Sequence, residues 1–201
     1  MKKLIFSSLY ILLCFSLFAI NPVHTFDVKV DVKNSNVHWK GSKVVSSSHE
    51  GDVKIRQGFL VIDHGKLAGG QFFIDLNTIS CTDLEGRKAE NLVKHLKDAD
   101  FFDVENYPIA ILSINKVEHI EEFNYSITAN LTIKDKTHPI TFTARVPIKG
   151  SQFEATAKIV IDRTKWGVTY NSGNFFKDLA ANRIIKDEIE FDIRLISQKT
   201  K

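Results

Sequence analysis

The chain has 201 residues, enough for one domain with a sizeable core, and its 43% apolar and 25% charged residues are ordinary for a folded soluble protein. It carries 27 Lys and Arg residues, 24 Asp and Glu residues and a formal net charge of +3. This near balance gives no support to nucleic-acid binding, which requires a concentrated basic face.

Residues 1–25 have the pattern of a secretory signal peptide. Lys2 and Lys3 supply the positive start, and residues 4–20 are apolar apart from three serines. The apolar run is short for a membrane span and is followed by a polar domain. We therefore expect a periplasmic or secreted protein, with an uncleaved anchor as the alternative. A lipid anchor on Cys14 is disfavoured because Leu13 stands where a small residue is expected.

Alternation of apolar and polar residues predicts four strands in the first third of the chain. Their predicted inward residues are Val28, Val30 and Val32, then Val37 and Trp39, then Val53, Ile55, Gln57, Phe59 and Val61, and finally Phe72, Ile74 and Leu76. The sequence Asp63-His64-Gly65-Lys66 predicts a hairpin turn between the last two strands. Gly69 and Gly70 invite a bulge that would shift the register.

The period then changes to that of a helix. Thr82 and Glu85 have the spacing of a capping box, and residues 89, 92, 93 and 96 form one apolar stripe. We predict a helix over about residues 83–97 that could close an open end of a barrel or sandwich. Residues 98–108 predict a turn-rich connection in which Phe101 and Phe102 act as anchors.

The second half of the chain predicts five more strands. In residues 109–117 we place Ala110, Leu112 and Ile114 inward. Residues 123–163 alternate over three consecutive segments with short polar joints, which predicts an antiparallel meander. Residues 171–186 form a long connection. Its apolar residues Phe175, Phe176, Leu179 and Ile184 have a spacing that would fit a short helix. The last strand places Ile189, Phe191, Ile193 and Leu195 on one face.

These patterns predict an all-β antiparallel protein of eight or nine strands with one or two short helices. Nearly every strand has one polar face, which excludes a parallel sheet and favours a closed barrel or a sandwich. A barrel of about eight strands is either filled by side chains or holds one small ligand. Ala129, Ala144, Ala155 and Ala157 share one face, where they either leave room for a ligand or pack closely against larger residues.

Residues with catalytic or metal-binding spacing are not found in the sequence. No two of the seven histidines have the spacing of paired metal ligands, and no nucleophile elbow, phosphate loop or dinucleotide fingerprint appears. Cys81, alone once a leader is removed, is expected to be an inert thiol. Asp162 and Arg163 could form a structural ion pair or present a cation at a cavity mouth. We therefore expect a protein that binds an apolar molecule without catalysis, metal or cofactor.

Several segments, in this order, resemble the YceI-like family of bacterial secreted polyisoprenoid-binding domains. They are Val37-His38-Trp39-Lys40-Gly41, His49-Glu50-Gly51, Leu67 to Phe72, Leu92 to Asp103 with Tyr107-Pro108, Leu131 to Ile140, and Ile161 to Val168. The resemblance covers about residues 26–197 and leaves residues 198–201 as a polar tail. It implies a lipocalin-like barrel with an elongated apolar cavity for a long isoprenoid, such as a quinone tail or a polyprenyl phosphate.

From the inward faces and this resemblance we predict the residues that line the cavity. They are Trp39, Phe59, Val61, Phe72, Ile74, Leu112, Ile114, Tyr125, Ile127, Ala129, Leu131, Phe142, Ala144, Phe153, Ala155, Ala157, Ile159, Phe191 and Ile193, with His49, Arg163, Phe175 and Phe176 at the cavity mouth. The expected partners are an isoprenoid lipid and, transiently, a membrane. The alternative is an envelope protein-interaction module with a packed barrel and an exposed apolar patch around Phe175 and Phe176.

Overall fold

The structure is a computed structural model that describes residues 25–45 and 47–199. These residues form ten strands and one α-helix, α1 (Gly86–Lys97), besides short 3-10 turns. The strands are β1 (Thr25–Lys29), β2 (Asn36–Lys43), β3 (Ser48–Asp63), β4 (Lys66–Asp75), β5 (Ile109–Glu121), β6 (Asn124–Ile133), β7 (Lys136–Arg145), β8 (Ile148–Lys149), β9 (Gln152–Asp162) and β10 (Ile185–Ile196). The predicted signal peptide up to residue 24, including Cys14, lies outside the described residues.

Eight of the strands close into an antiparallel barrel. Their order is β3-β2-β10-β9-β7-β6-β5-β4, and β4 pairs back to β3. β1 pairs with the C-terminal part of β3, residues 59–63, and the two-residue β8 pairs with β9. Closure pairs each of these eight strands with a neighbour on both sides, although β7 and β9 pair over only two residue pairs. The predicted all-β, lipocalin-like antiparallel barrel with about eight strands is thereby confirmed.

The central meander folds as its alternation predicts. In β6 the residues at alternate positions are buried, from Tyr125 to Ile133, and their neighbours are partly exposed. β5 places Ala110 and Leu112 in the core, as predicted. The predicted hairpin turn also forms, because Asp63 pairs with Lys66 across two residues of positive φ.

A bulge in β3 changes which of its residues face inward. The register against β4 shifts just after Ile55, and Leu60 and Ile62 are then the buried residues. Phe59 and Val61, predicted to face inward, therefore lie on the opposite face of the strand. The prediction was wrong because residues 59–62 are all apolar, so alternation could not reveal the change of phase.

The helix α1 begins later than predicted, and its predicted capping box does not form. Its N-cap residue is Glu85, whose side chain makes no capping hydrogen bond. Thr82 instead donates its hydroxyl to the carbonyl oxygen of Glu50 at 3.2 Å. The carboxylate of Asp83 accepts the backbone N–H of Glu50 at 3.0 Å. Pairing with β3 therefore decides the conformation of this segment, and Leu96 of α1 is buried in the core.

The connection from β9 to β10 is mostly irregular. It contains the 3-10 turns Arg163–Trp166 and Ala181–Arg183, so the short helix that would fit its spacing is reduced to one short turn. Trp166 is 1% exposed and donates its indole N–H to the carbonyl oxygen of Leu131 at 2.9 Å. Its ring packs edge-on against that of His138 on β7, with 5.3 Å between the ring centroids. Among the described residues, no helix has the length and apolar character needed to cross a membrane.

The two ends of the barrel are built differently. At one end, here called the helix end, lie α1, residues 98–108 and the connection to β10. The other, the hairpin end, carries the tight turns joining β3 to β4 and β5 to β6. Buried side chains such as Val30, Ile62 and Phe153 close the hairpin end. Access to the interior is therefore expected at the helix end.

Candidate functional site: an apolar cavity with a polar mouth

The barrel encloses a cavity of about 230 Å³ with an almost wholly apolar wall. Inward-facing residues of β2 to β7, β9 and β10 form this wall. An apolar cavity of about 150 Å³ already binds a molecule such as benzene. This space can therefore hold an apolar ligand without any special polar contact. Each CH₂ group of the ligand that leaves water contributes about 0.8 kcal/mol to the binding free energy.

Most of the residues predicted to line the cavity lie in its wall. They share inward positions on seven strands and are Trp39, Phe72, Ile74, Leu112, Ile114, Ile127, Leu131, Phe142, Ala144, Ala155, Ala157, Ile159, Phe191 and Ile193. Strand alternation brings them together because each inward face of a closed barrel points at the same axis. Their contact with a ligand stays a prediction.

Three predicted lining residues are buried but lie outside the cavity wall. Ala129 is 0% exposed, and Tyr125 and Phe153 are each 4% exposed. Tyr125 packs edge-on against His119, with 5.2 Å between the ring centroids. The backbone N–H of Phe153 donates to the hydroxyl of Ser197 at 3.0 Å. Alternation gives the face of a strand and not the depth along the barrel, so these packed positions could not be separated from open ones.

On β3 the predicted inward positions hold before the bulge and fail after it. Val53, Ile55 and Leu60 line the cavity, whereas Phe59 and Val61 lie on the far side of the strand after the bulge. Gly58 lies close against Phe72 of β4, since a Cβ at this position would lie 2.6 Å from the phenylalanine ring.

The residues that cover the helix end of the cavity were not among the predicted lining residues, although the helix was expected to close an open end of the barrel. Leu92 and Leu96 of α1, with Phe101 and Phe102 of the following connection, line the cavity there. We call these four residues the lid. Their signals were the apolar stripe of α1 and the paired phenylalanines, but only the tertiary structure places both over the barrel.

Polar residues of the cavity wall concentrate beside the lid. Ser42 and Lys43 end β2, Ser47 and His49 flank the start of β3, and Lys186 lies near the start of β10. These five residues are here called the mouth. The predicted position of His49 at the mouth matches its place in the structure, and its binding role stays a prediction.

Arg163 lies against the cavity as a buried structural cation. It is 1% exposed and donates to the carbonyl oxygens of Val168 at 2.6 Å, Lys186 at 3.0 Å and Ile185 at 3.2 Å. Its guanidinium lies 3.6 Å from the carboxylate of Asp187. Burial lowers the pKa of Arg163, while nearby carboxylates raise it, and arginine stays charged in proteins. Its ion-pair partner is Asp187, and most of its donors are engaged by the backbone.

His49 is held in place by Asp83. The ring Nδ1 of His49 lies 2.8 Å from the Asp83 carboxylate, which also accepts the thiol of Cys81 at 3.2 Å. Burial raises the pKa of Asp83, but hydrogen bonds from Glu50, His49 and Cys81 outweigh it and lower the pKa to about 2. Burial and the hydrogen bond to Asp83 raise the pKa of Cys81, so this thiol stays protonated. The ring Nε2 of His49 is thus the nitrogen left for a ligand.

We expect Asp83→Asn to lower the free energy of unfolding by about 1 kcal/mol at neutral pH, because it weakens hydrogen bonds to a charged acceptor. The folded pKa of about 2 lies below the value of about 3.9 for an unfolded aspartate. The contribution of Asp83 is therefore fully present above that unfolded pKa and is lost as the pH falls towards 2. Urea unfolding of both proteins at neutral and acidic pH measures it.

The matched control for this prediction is Asp192→Asn, which removes an exposed carboxylate 3.5 Å from Lys158. It is expected to change the free energy of unfolding by less than about 0.5 kcal/mol. A difference between wild type and Asp83→Asn that stays the same at low pH would contradict the assignment.

Phe175 and Phe176 do not line the cavity. They are 59% and 49% exposed, in the irregular connection before β10. The prediction that they lie in the cavity mouth was wrong in this respect, because the segment forms turns rather than a helix that would bury one face. Their side chains are open to solvent.

Comparison with known proteins identifies the family of this barrel. A model of the YceI-like domain matches residues 28–196. The chain belongs to the YceI-like family. A UPF0312 protein of Pseudomonas putida (strain W619) is 32% identical over 120 residues, covering 59% of this chain and 60% of that protein. The chain thus spans about 60% of the length of the curated relatives it first matches.

Solved structures share the YceI-like fold with this chain. BcnA of Burkholderia cenocepacia has a TM-score of 0.64 at 23% identity, covering 84% of this chain and 99% of that one. A polyisoprenoid binding domain from Saccharophagus degradans, implicated in plant cell wall breakdown, has a TM-score of 0.59 at 15% identity, covering 86% and 98%. At these identities the similarity establishes the fold of the YceI-like barrel.

Proposed function

We propose that this YceI-like protein holds a long isoprenoid lipid in its barrel, as a carrier or buffer and without catalysis. The observation that carries the proposal is the enclosed apolar cavity of about 230 Å³ that meets polar residues at one end. A similar fold is described as a polyisoprenoid binding domain in Saccharophagus degradans, which supports the ligand class. The leader-like residues 1–25 support a periplasmic or secreted location.

The cavity suits a tail better than a whole lipid. Each CH₂ transferred from water contributes about 0.8 kcal/mol, so an apolar tail supplies most of the affinity. The polar mouth, with Lys43, His49 and Lys186, suits the head group of a quinone or a polyprenyl phosphate. A tail longer than the cavity either displaces side chains or extends through the mouth.

The polar groups near the cavity support binding rather than chemistry. His49 is held by Asp83, and Arg163 donates to three backbone carbonyl oxygens. Cys81 has a raised pKa and is a poor nucleophile. The packed-barrel alternative predicts a filled interior, and the cavity counts against it.

Native mass spectrometry of the protein purified from its own host without harsh detergent tests the proposal. We expect an added mass of one isoprenoid per chain, which lipid extraction would identify. Adding quinone and polyprenyl phosphate separately to stripped protein distinguishes the two head groups. A clean mass together with no uptake of either lipid would overturn the proposal.

A further inference from the structure

An exposed apolar patch lies next to the mouth of the cavity. Val44 and Val45, between β2 and β3, are 53% and 45% exposed, and Phe175 and Phe176 are 59% and 49% exposed. We call these four residues the rim patch. Large apolar side chains that cluster on a surface mark a contact with a protein or a membrane.

Backbone hydrogen bonds connect the two halves of the rim patch to each other and to the cavity. The N–H of Val44 donates to the carbonyl oxygen of Ile184 at 3.0 Å. The next residue, Ile185, lines the cavity and bridges to Ser172. The N–H groups of both phenylalanines donate to the carbonyl oxygen of Ser172, at 3.2 and 2.9 Å. The two chain segments that carry the patch are therefore joined to each other beside Ile185 of the cavity wall.

The other exposed large apolar residues lie elsewhere on the barrel. Among the residues that the structure describes, they are Phe26, Ile120, Phe123 and Val160. The ring of Phe123, at the hairpin end, is covered by the guanidinium of Arg145 at 5.5 Å. Val160 lies on the outer face of β9. Ile120 and Phe123 flank the β5–β6 turn, so a smaller exposed apolar pair lies at the end of the barrel opposite the mouth.

Basic residues accompany the rim patch. Its two segments and the start of β10 contribute Lys43, Lys177, Arg183 and Lys186. The acidic residues there are Asp178, Glu188 and Asp187, and Asp187 faces the buried Arg163. Apolar side chains flanked by Lys and Arg favour the interface of an anionic bilayer, where insertion and charge attraction act together.

We propose that the rim patch docks this protein on the surface of an anionic lipid bilayer, with the cavity mouth facing the membrane. In this orientation a lipid tail passes between the bilayer and the cavity without crossing water, which the hydrophobic effect opposes. The inference extends the proposed lipid-binding function. Vesicle binding is nevertheless measured without cargo lipid, so that either proposal can fail alone.

The test is flotation of the protein, as recovered from the cell after export, with vesicles of phosphatidylcholine alone or mixed with phosphatidylglycerol. We expect binding to the anionic vesicles that weakens with added salt. The double variant Phe175→Ser with Phe176→Ser is expected to bind about tenfold more weakly. Phe123→Ser, a matched change at the hairpin end, is expected to bind like wild type.

A second measurement uses fluorescence. Phe175→Trp places an indole in the rim patch, and its emission is expected to shift to shorter wavelength on anionic vesicles, while that of Phe123→Trp does not. The proposal is overturned if wild type fails to bind anionic vesicles, or if both serine variants lose binding equally. Formation of a dimer that the double variant abolishes, without vesicle binding, would assign the patch to a protein contact instead.

Discussion

Ala155→Trp is expected to abolish stoichiometric lipid binding while leaving the barrel folded. Ala155 is 5% exposed, lies in the cavity wall and pairs with Leu195 across β9 and β10. An indole at this position would occupy space proposed for the tail. Excluding about four CH₂ groups costs about 3 kcal/mol, which lowers affinity roughly a hundredfold. The open cavity accommodates the larger side chain, at a folding cost of about 1–3 kcal/mol.

The control is Val160→Trp. Val160 lies on the outer face of the same strand, and its side chain is 58% exposed. It adds an indole without entering the cavity, so lipid binding should equal that of wild type. Native mass spectrometry with added lipid measures binding, and thermal unfolding verifies that each variant is folded. Full lipid occupancy in folded Ala155→Trp would show that the tail lies elsewhere.

Ala129→Trp would be a poor version of the same test. The sequence places Ala129 on the same face as Ala155, and by alternation alone the two positions are equivalent. In the structure Ala129 is 0% exposed and outside the cavity wall. A tryptophan there would overpack β6 and its neighbours, which destabilises the fold and reports little about the ligand.

The barrel could be predicted because each strand carries its own signal. Alternation fixes the inward face where pairing is regular, as in β6 against β7 and in β9 against β10, and short polar joints indicate antiparallel neighbours. Alternation no longer predicts the inward face beyond a bulge, where one strand carries an extra residue. In β3 the bulge follows Ile55, and the apolar run from Phe59 to Ile62 reads equally well in either phase.

The cavity itself was harder to predict than the strands around it. Whether an inward residue touches open space depends on its depth along the barrel, which separates Ala155 from Phe153 on one strand. The lid depends on where α1 docks. The capping pattern at Thr82 was misleading because β3 competes for the same polar groups, and the hydrogen bonds to Glu50 replace a helix cap.

Arg163→Met is expected to lower the free energy of unfolding by about 3–5 kcal/mol, because it leaves the partner of a buried charge unpaired. The carboxylate of Asp187 would lose its cation, and three carbonyl oxygens would lose their donor. For a domain of this size the melting temperature should fall by roughly 6–20 °C. Urea unfolding and thermal scans measure both quantities.

Arg194→Met is the control that shows how much stability is lost when an exposed ion pair is removed instead of a buried one. Arg194 pairs with Glu154 at 2.9 Å, but both side chains are more than half exposed, so its loss should cost about 0–1 kcal/mol. The double variant Arg163→Met with Asp187→Asn should regain part of the stability lost, since the uncompensated charge is removed. If the two arginine substitutions lower the free energy of unfolding equally, Arg163 does not hold the end of β9 against the start of β10. A large effect limited to Arg163 would mean that this buried cation holds the cavity wall beside the mouth.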